Sequence, residues 1–177
     1  LALLPFAAIA TVCDIVDLSG DNRVLVRHGL PAVSASGNAG LRALLQAVGL
    51  CDKPIDTFHA GFILGPCINA SGRLDIARHA VELFLSEDAA QAAALAARLV
   101  ELNAERRELT ESGAALAYEL ILTQNLYQDK IIVLDDRQLP ESVAGIIAGR
   151  IKEKFHRPVV IIAGGQDAAR GSCRSIE

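Results

Sequence analysis

The chain has 177 residues, of which 51% are hydrophobic, and its formal net charge at pH 7 is −4. A chain of this length and composition can bury a substantial core, so we expect one domain or two parts of a larger protein. No apolar run reaches about 18 residues, which argues against a transmembrane helix. The sequence contains no methionine, and we therefore expect it to have been excised from a longer chain.

Cysteine usage and charge narrow the class of protein further. The four cysteines lie far apart and form no Cys-x-x-Cys pair, so neither a zinc site nor a disulfide framework is predicted. Free thiols are typical of a reducing compartment, and we expect a cytoplasmic protein. Overall acidity does not exclude a nucleic-acid partner, because binding depends on where cations cluster. Such a cluster, or else a solvated helix face, is formed by Lys152, Lys154, Arg157, Arg170 and Arg174.

The first third of the chain has a mainly helical pattern. Residues 6–16 are predicted to form either a buried strand or an apolar helix that ends in acidic residues. Short helices are expected over 22–30 and over 41–48, the second ending at Gly49 as a C-cap. A helix over 55–64 is expected to stop at the glycine and proline that follow, because proline does not continue a helix comfortably.

The middle of the chain combines a polar loop with the longest predicted helix. Residues 69–73 have the composition of a loop, and 75–85 is predicted to be helical. The next helix is predicted over 87–123, with Ser86 as its N-cap. Gly113 is expected to weaken that helix by about 1 kcal/mol relative to alanine.

The pattern changes period towards the end of the chain. Residues 130–134 are predicted to form a β-branched strand, 141–155 a helix and 158–163 an apolar strand. This order is that of a βαβ unit, so the predicted fold class is α/β. We divide the chain into a mostly helical part (1–86), a long connecting helix (87–124) and the beginning of a small α/β part (125–177).

Two candidate sites lie in the first part. Asp14 follows an apolar segment, and a carboxylate at the end of a buried strand can be a hard metal ligand; a helix N-cap or solvated turn residue is the alternative. In the segment from Gly65 to Arg73, small residues permit close approach of a ligand, and the guanidinium can bind phosphate or carboxylate. The alternative is an ordinary loop in which Arg73 pairs with a nearby acid.

Two further candidates lie in the α/β part. Arg170-Gly171-Ser172-Cys173-Arg174-Ser175 offers backbone N–H groups, hydroxyls and a guanidinium for an anion, or it forms a polar edge strand. Small residues in 141–150 favour close helix packing, and the helix N-terminus near Ser142 can hold a phosphate. The residues alone therefore indicate a two-part α/β protein with an Arg- and Ser-rich anion site.

Taken in order, these segments resemble motifs of the RecJ single-stranded-DNA-specific exonucleases of the DHH phosphoesterase superfamily. Residues 10–18 resemble the last metal-binding motif of that family, and Asn69-Ala70-Ser71-Gly72-Arg73 matches an Asn-Ala-x-Gly-Arg motif. Residues 141–150 with Arg157-Pro158, and the Gly-Ser-Cys-Arg-Ser segment at 171–175, resemble the DHH-associated domain. The resemblance covers nearly the whole chain.

The resemblance implies an enzyme that hydrolyses phosphodiesters of single-stranded DNA from a 5′ end, in DNA repair and recombination, with Mn²⁺ or Mg²⁺. It implies that 1–86 ends a DHH domain and that 125–177 begins a DHH-associated domain. It also implies single-strand-binding proteins or helicases as partners. The implied site comprises a catalytic metal ligand (Asp14), a catalytic and substrate-binding arginine (Arg73) and further substrate-binding residues (Asn69, Ser172, Arg174 and Ser175).

The chain also departs from the family pattern. The Asp-His-His motif and the earlier aspartate motifs are absent, so we expect the chain alone to lack a two-metal centre and to be inactive. Pro140 stands where many relatives have histidine, and Cys173 replaces a glycine. Two alternatives remain open: part of a phosphodiesterase for short oligonucleotides or cyclic dinucleotides, and a non-catalytic nucleic-acid-binding module.

Overall fold

The computed structural model describes residues 2–164 and 169–176. The chain divides into two compact units, Leu1–Ala104 and Glu105–Glu177. The α/β fold class is confirmed, because the many helices are followed by a small mixed sheet. Among the described residues, no helix combines the length and the apolar character needed to cross a membrane.

Most of the described chain is helical. The helices are α1 (Leu4–Cys13), α2 (Gly20–Ser34), α3 (Ala39–Ala47), α4 (Gly65–Leu74), α5 (Arg78–Leu85), α6 (Ala89–Thr123) and α7 (Ala144–Phe155). A π-helical segment occupies His59–Leu64, and 3₁₀ turns occupy Leu126–Gln128 and Glu141–Val143. The strands are β1 (Ile132–Asp136), β2 (Val159–Ala163) and β3 (Arg170–Arg174).

The first apolar segment forms the helix α1, so the alternative of a buried strand over 6–16 is wrong. Alanine is the best helix former, and α1 contains three alanines. Pro5 lies in its first turn, where the missing N–H has no intrahelical partner to lose. The helix packs closely on α2, since a Cβ on Gly29 would lie 2.7 Å from the carbonyl oxygen of Leu4.

The helix before Gly65-Pro66 does not stop there, and the expected loop over 69–73 is helical. The π-helical segment runs directly into α4, and Pro66 occupies the first turn of α4. Proline is tolerated at that position for the same reason as in α1. Both sequence-based expectations for this region are therefore wrong, and the Asn69–Arg73 segment is helix rather than loop.

Asn38 connects two helices of the first unit. Its Oδ1 accepts a hydrogen bond from the backbone N–H of Leu41 at 2.8 Å, which caps the N-terminus of α3. Its Nδ2 donates to the carbonyl of Phe84 at 2.8 Å, near the end of α5. The predicted glycine after α3 is confirmed, since Gly49 has a φ of 72°.

The long helix α6 is confirmed with nearly the predicted bounds, but its cap differs. Asp88, not Ser86, caps it, because the Oδ1 of Asp88 accepts from the backbone N–H of Gln91 at 2.8 Å. Gly113 is a packing point rather than a weak one. A Cβ there would lie 2.6 Å from the Cδ1 of Ile147 and 3.0 Å from the Cδ of Pro140. The first half of α6 contributes to the core of the first unit, and its second half to that of the second.

The second unit confirms the βαβ prediction. β1 and β2 are parallel and joined through α7, and β3 adds to the far side of β2 in antiparallel orientation. The helix predicted over 141–155 begins with a 3₁₀ turn before α7. Ser172 is paired with Ile161, and Arg174 with Val159. The segment with the predicted anion-binding residues is thus an edge strand.

Candidate functional site

Asp14 lies at the end of the helix α1, so the suggestion that it terminates a strand is wrong. Its backbone N–H donates to the carbonyl of Ala10 at 2.9 Å, which makes it the C-cap residue of α1. The residue is exposed, but it also lines a cavity of about 330 Å³. A helix cap and a metal ligand are compatible roles for the same residue, because the cap uses the backbone and leaves both carboxylate oxygens free.

The cavity brings Asp14 and Asn69 to one place in the first unit. Its remaining lining is mostly apolar and comes from α1, α4 and α5: Phe6, Ile9, Ala10, Cys13, Gly65, Ile68 and Phe84. Phe6 and Phe84 meet edge to face, with ring centroids 5.1 Å apart. The result is an apolar recess whose lining residues include one acid and one amide.

Cys13 is a member of this wall that sequence reasoning did not single out. Its thiol donates a weak hydrogen bond to the carbonyl of Ala60 at 3.6 Å. Burial raises the pKa of the Cys13 thiol, and the neighbouring carboxylate of Asp14 raises this pKa further. The sequence did contain a signal for this raised pKa, namely that cysteine and aspartate are adjacent, because a nearby negative charge disfavours a thiolate.

Asn69 and Arg73 lie one turn apart on α4 and therefore share a face of that helix. Arg73 is exposed and is not part of the cavity wall. Over residues 2–164 and 169–176, its side chain makes no hydrogen bond or ion pair. The nearest acid in sequence, Asp75, instead accepts a hydrogen bond from Arg98 at 3.2 Å. The alternative in which Arg73 pairs with a nearby acid is thus not what the structure shows.

A complete metal site is not formed within the described part of the chain. No group of three or more histidine, cysteine, aspartate or glutamate side chains comes together there. Asp14 has the hard oxygen donors that Mn²⁺ and Mg²⁺ prefer, but it can supply only one side chain of such a site. The described residues therefore fit one ligand of a metal centre and not the whole centre.

The second unit brings Ser172 and Arg174 together over the first turn of α7. A Cβ on Gly145 would lie 2.9 Å from the Oγ of Ser172 and 2.9 Å from the Nη2 of Arg174. The guanidinium also donates to Ser172 Oγ at 3.4 Å and to the carbonyl of Cys173 at 2.7 Å. A hydroxyl, a guanidinium and the N-terminus of a helix all favour an anion at this position.

Ser175 is not part of this group. It lies beyond the end of β3, and its hydroxyl donates to the carbonyl of Ile176 at 2.9 Å. Local contacts also occupy some of the cations in the predicted basic cluster. Arg170 pairs with Glu141 at 2.9 Å, which offsets part of its charge. Arg174 is therefore better placed than Arg170 to meet an anion.

Other cations of the predicted cluster are held by their own surroundings. The ammonium of Lys154 lies 4.0 Å from the centroid of the Tyr118 ring. The Nε of Arg157 donates to the carbonyl of Tyr127 at 3.2 Å. Lys154 and Arg157 stay positively charged in these contacts, but their side chains are held in place. The two cations are therefore less free to move towards an anion than the sequence alone indicates.

Known proteins are similar to this chain in sequence, although no family model matches it. It is 38% identical over 179 residues to the single-stranded-DNA-specific exonuclease RecJ of Dickeya dadantii (strain 3937), covering 98% of this chain and 31% of that protein. It is 40% identical over 164 residues to the protein of the same name from Thermus thermophilus, covering 93% of this chain and 24% of the relative. The chain thus spans less than a third of the length of these relatives.

The fold agrees with the sequence comparison. A crystal structure of RecJ in complex with Mn²⁺ from Thermus thermophilus matches with a TM-score of 0.84 and 39% identity, covering 98% of this chain and 26% of that one. Sequence and fold therefore agree along nearly the whole chain. On both grounds, this chain belongs to the RecJ family and corresponds to one segment of its members.

Proposed function

We propose that this chain is part of a metal-dependent exonuclease that hydrolyses the phosphodiester bonds of single-stranded DNA from a 5′ end. Its relatives are named single-stranded-DNA-specific exonucleases. The observation that carries the proposal is the shared cavity of Asp14 and Asn69, with an unpaired Arg73 one turn along α4. A carboxylate for a cation and a free guanidinium for a phosphate are the complementary groups that such a reaction needs.

Asp14 is proposed to supply one ligand to Mn²⁺ or Mg²⁺, the ions named for solved RecJ structures. When bound, such an ion activates water and neutralises the charge that develops on the phosphate. The described residues do not complete its coordination, so we propose that further ligands come from other parts of the protein. The chain alone is accordingly expected to be inactive.

Arg73 and Asn69 are proposed to bind the scissile or an adjacent phosphate. The guanidinium offers a planar fork of donors to phosphate oxygens, and the amide offers a neutral donor beside it. Ser172 and Arg174 are proposed to bind backbone phosphates of the strand in the second unit, with Ser175 as a more peripheral contact. Phosphate contacts position a strand without reading its sequence, as an exonuclease requires.

The finer assignments rest on the family resemblance. We propose that residues 1–86 and 125–177 belong to a DHH domain and a DHH-associated domain, respectively, joined by the long helix. We also propose a cytoplasmic role in DNA repair and recombination, with single-strand-binding proteins or helicases as partners. A phosphodiesterase for short oligonucleotides or cyclic dinucleotides is the competing function, and comparing turnover of a long single strand with that of a dinucleotide separates the two.

The central test is Asp14→Ala in the full-length protein. We expect turnover of single-stranded DNA to be abolished while binding is largely retained, because phosphate contacts elsewhere supply most of the affinity. Asp52→Ala is the matched control, since Asp52 is also exposed and lies outside both the cavity wall and the segment 10–18. Near-normal turnover of Asp14→Ala would reduce Asp14 to a helix cap.

A further inference from the structure

A charged contact joins the long helix α6 to the end of α4, within the first unit. The Nη2 of Arg98 donates to the Oδ2 of Asp75 at 3.2 Å. The Nη1 of the same guanidinium lies 3.5 Å from the Oε2 of Glu101, one turn along α6. Arg98 is therefore oriented by one acid of its own helix while it holds another acid at the end of α4.

Asp75 is fixed on both its side chain and its backbone. Its Oδ1 accepts from the backbone N–H of Ile76 at 2.9 Å, so both carboxylate oxygens have partners. Its backbone N–H donates to the carbonyl of Ser71 at 2.9 Å and closes the last turn of α4. The side chain of Asp75 is 24% exposed, against 46% for that of Arg98, so the carboxylate is partly sheltered while the guanidinium is open to solvent.

The contact favours the charged forms of both partners. The hydrogen bond from Arg98 is the main cause of a lowered pKa of Asp75, and the same bond raises the pKa of Arg98. His79 lies close by, with its Nδ1 3.6 Å from the Oδ2 of Asp75. That distance is too long for a good hydrogen bond, so Arg98 is the principal partner of the carboxylate.

Arg73 lies two residues before Asp75, in the last turn of α4. Side chains two residues apart do not face each other on a helix, so Arg98 does not act on Arg73 through a direct contact of Arg73 with Asp75. The link is the backbone: Asp75 closes the last turn of α4, and the contact with Arg98 holds Asp75. The clamp on Asp75 thus fixes the backbone turn that carries Arg73.

We propose that Arg98 is a positioning residue: by holding Asp75, it fixes the last turn of α4 and so keeps Arg73 in place for a substrate phosphate. The inference rests on the proposed function, because it takes Arg73 to be the residue that meets phosphate. It adds a role for α6 beyond connection, namely that its first half fixes one substrate-binding side chain within the first unit.

The test is a double-mutant cycle in the full-length protein, measured as kcat and KM on a single strand. Arg98→Ala should lower kcat/KM by about two- to fivefold, the size expected for loss of a partly exposed ion pair. It should change the same parameter, kcat or KM, that Arg73→Ala changes. The double variant should be no worse than Arg73→Ala alone, because Arg98 acts through Arg73.

Arg78→Ala is the matched control. Arg78 forms an ion pair with Glu82 at 2.7 Å on the neighbouring helix α5, and that pair does not involve α4. We expect this variant to leave both kinetic parameters unchanged. Arg98→Lys should recover part of the activity, since an ammonium keeps the charge but not the fork. It also serves as the second variant for the cycle if Arg98→Ala folds poorly.

The outcomes distinguish the two levels of the proposal. Wild-type kinetics for Arg73→Ala would overturn the proposed role of Arg73 itself. Impaired kinetics for Arg73→Ala, with losses that multiply in the double variant, would overturn the positioning role of Arg98 and leave Arg73 in place. The same holds if Arg98→Ala behaves like Arg78→Ala.

Discussion

Arg174 lies so close to Gly145 that a Cβ on the glycine would be 2.9 Å from the Nη2 atom of the guanidinium. Ser172 Oγ lies at the same distance from that position. Both atoms are the ends of side chains, which can move at little cost. An alanine at 145 is therefore compatible with the fold, but it must displace the guanidinium from the first turn of α7.

We accordingly predict that Gly145→Ala in the full-length protein weakens binding of single-stranded DNA by roughly tenfold, as for loss of one hydrogen bond to a charged group. Gly149→Ala is the control, because Gly149 lies on the same helix and a Cβ there would meet nothing within 4 Å. Binding is measured by fluorescence anisotropy and stability by thermal melting. Equal affinities of the two variants would contradict the prediction.

Arg174→Ala should weaken binding of all single strands alike. It should reduce the slope of log K against log salt by about 0.7, the contribution of one phosphate on a single strand. Arg174→Lys should restore only part of the affinity, because a point charge replaces a planar fork. Arg170→Ala should change the slope less, since Glu141 already offsets part of that charge. A loss confined to one of two unrelated oligonucleotides would rule out a phosphate contact.

The chain alone should have no metal-dependent nuclease activity. Asp14 supplies only one side chain, and the described residues contain no group of three or more potential ligands. The measurement is release of label from a 5′-labelled single strand incubated with the purified chain and Mn²⁺. Turnover that co-purifies with the chain and disappears in Asp14→Ala would refute this expectation.

Cys13 reports on the charge of Asp14 without any assay of activity. The carboxylate contributes to the raised pKa of the thiol, so Asp14→Asn should lower that pKa. More thiolate is then present at a given pH, and the alkylation rate of Cys13 should rise at lower pH than in the wild type. Mass spectrometry separates Cys13 from the exposed Cys51 and Cys173. An unchanged pH profile, with Asp17→Asn as control, would show that burial alone sets the reactivity.

Gly113→Ala should destabilise the protein despite the better helix propensity of alanine. The new methyl group would meet the side chains of Ile147 and Pro140, and overpacking of this kind costs about 1–3 kcal/mol. Ser112→Ala is the control, because Ser112 is exposed on the same helix. Denaturant unfolding compares the two. A gain of about 1 kcal/mol in Gly113→Ala would instead match simple propensity.

Periodicity predicted the long helix and the βαβ unit well, because both depend on long patterns. The leucine stripe of α6 extends over many turns, and the apolar residues of β2 form a continuous run. Short segments were predicted less well. The apolar run before Asp14 is too brief to separate strand from helix by pattern alone, and its alanines decide for helix.

Local residue types were misleading where tertiary context decides. Pro66 was expected to end a helix, but the chain places it in a first turn, where proline is tolerated. Gly113 was expected to weaken α6, but it permits close packing of Pro140 and Ile147. Asp14, Asn69 and Arg73 were named from the sequence and stay predictions, whereas the contact of Arg98 with Asp75 was not anticipated, because no spacing rule connects the two residues.

The π-helical segment before α4 determines how this part of the chain responds to deletion. A π turn carries one residue more than an α turn, so loss of a single residue within His59–Leu64 can be absorbed by reverting to α-helix. The helix that follows then keeps its orientation, and Asn69 and Arg73 stay on the faces they occupy now. A deletion inside α4, between Asn69 and Arg73, cannot be absorbed in this way: each residue of an α-helix corresponds to a rotation of about 100°, so Arg73 would turn away from the face that carries Asn69. One-residue deletions at the two places should therefore differ sharply in their effect on function, although both leave the helical content almost unchanged.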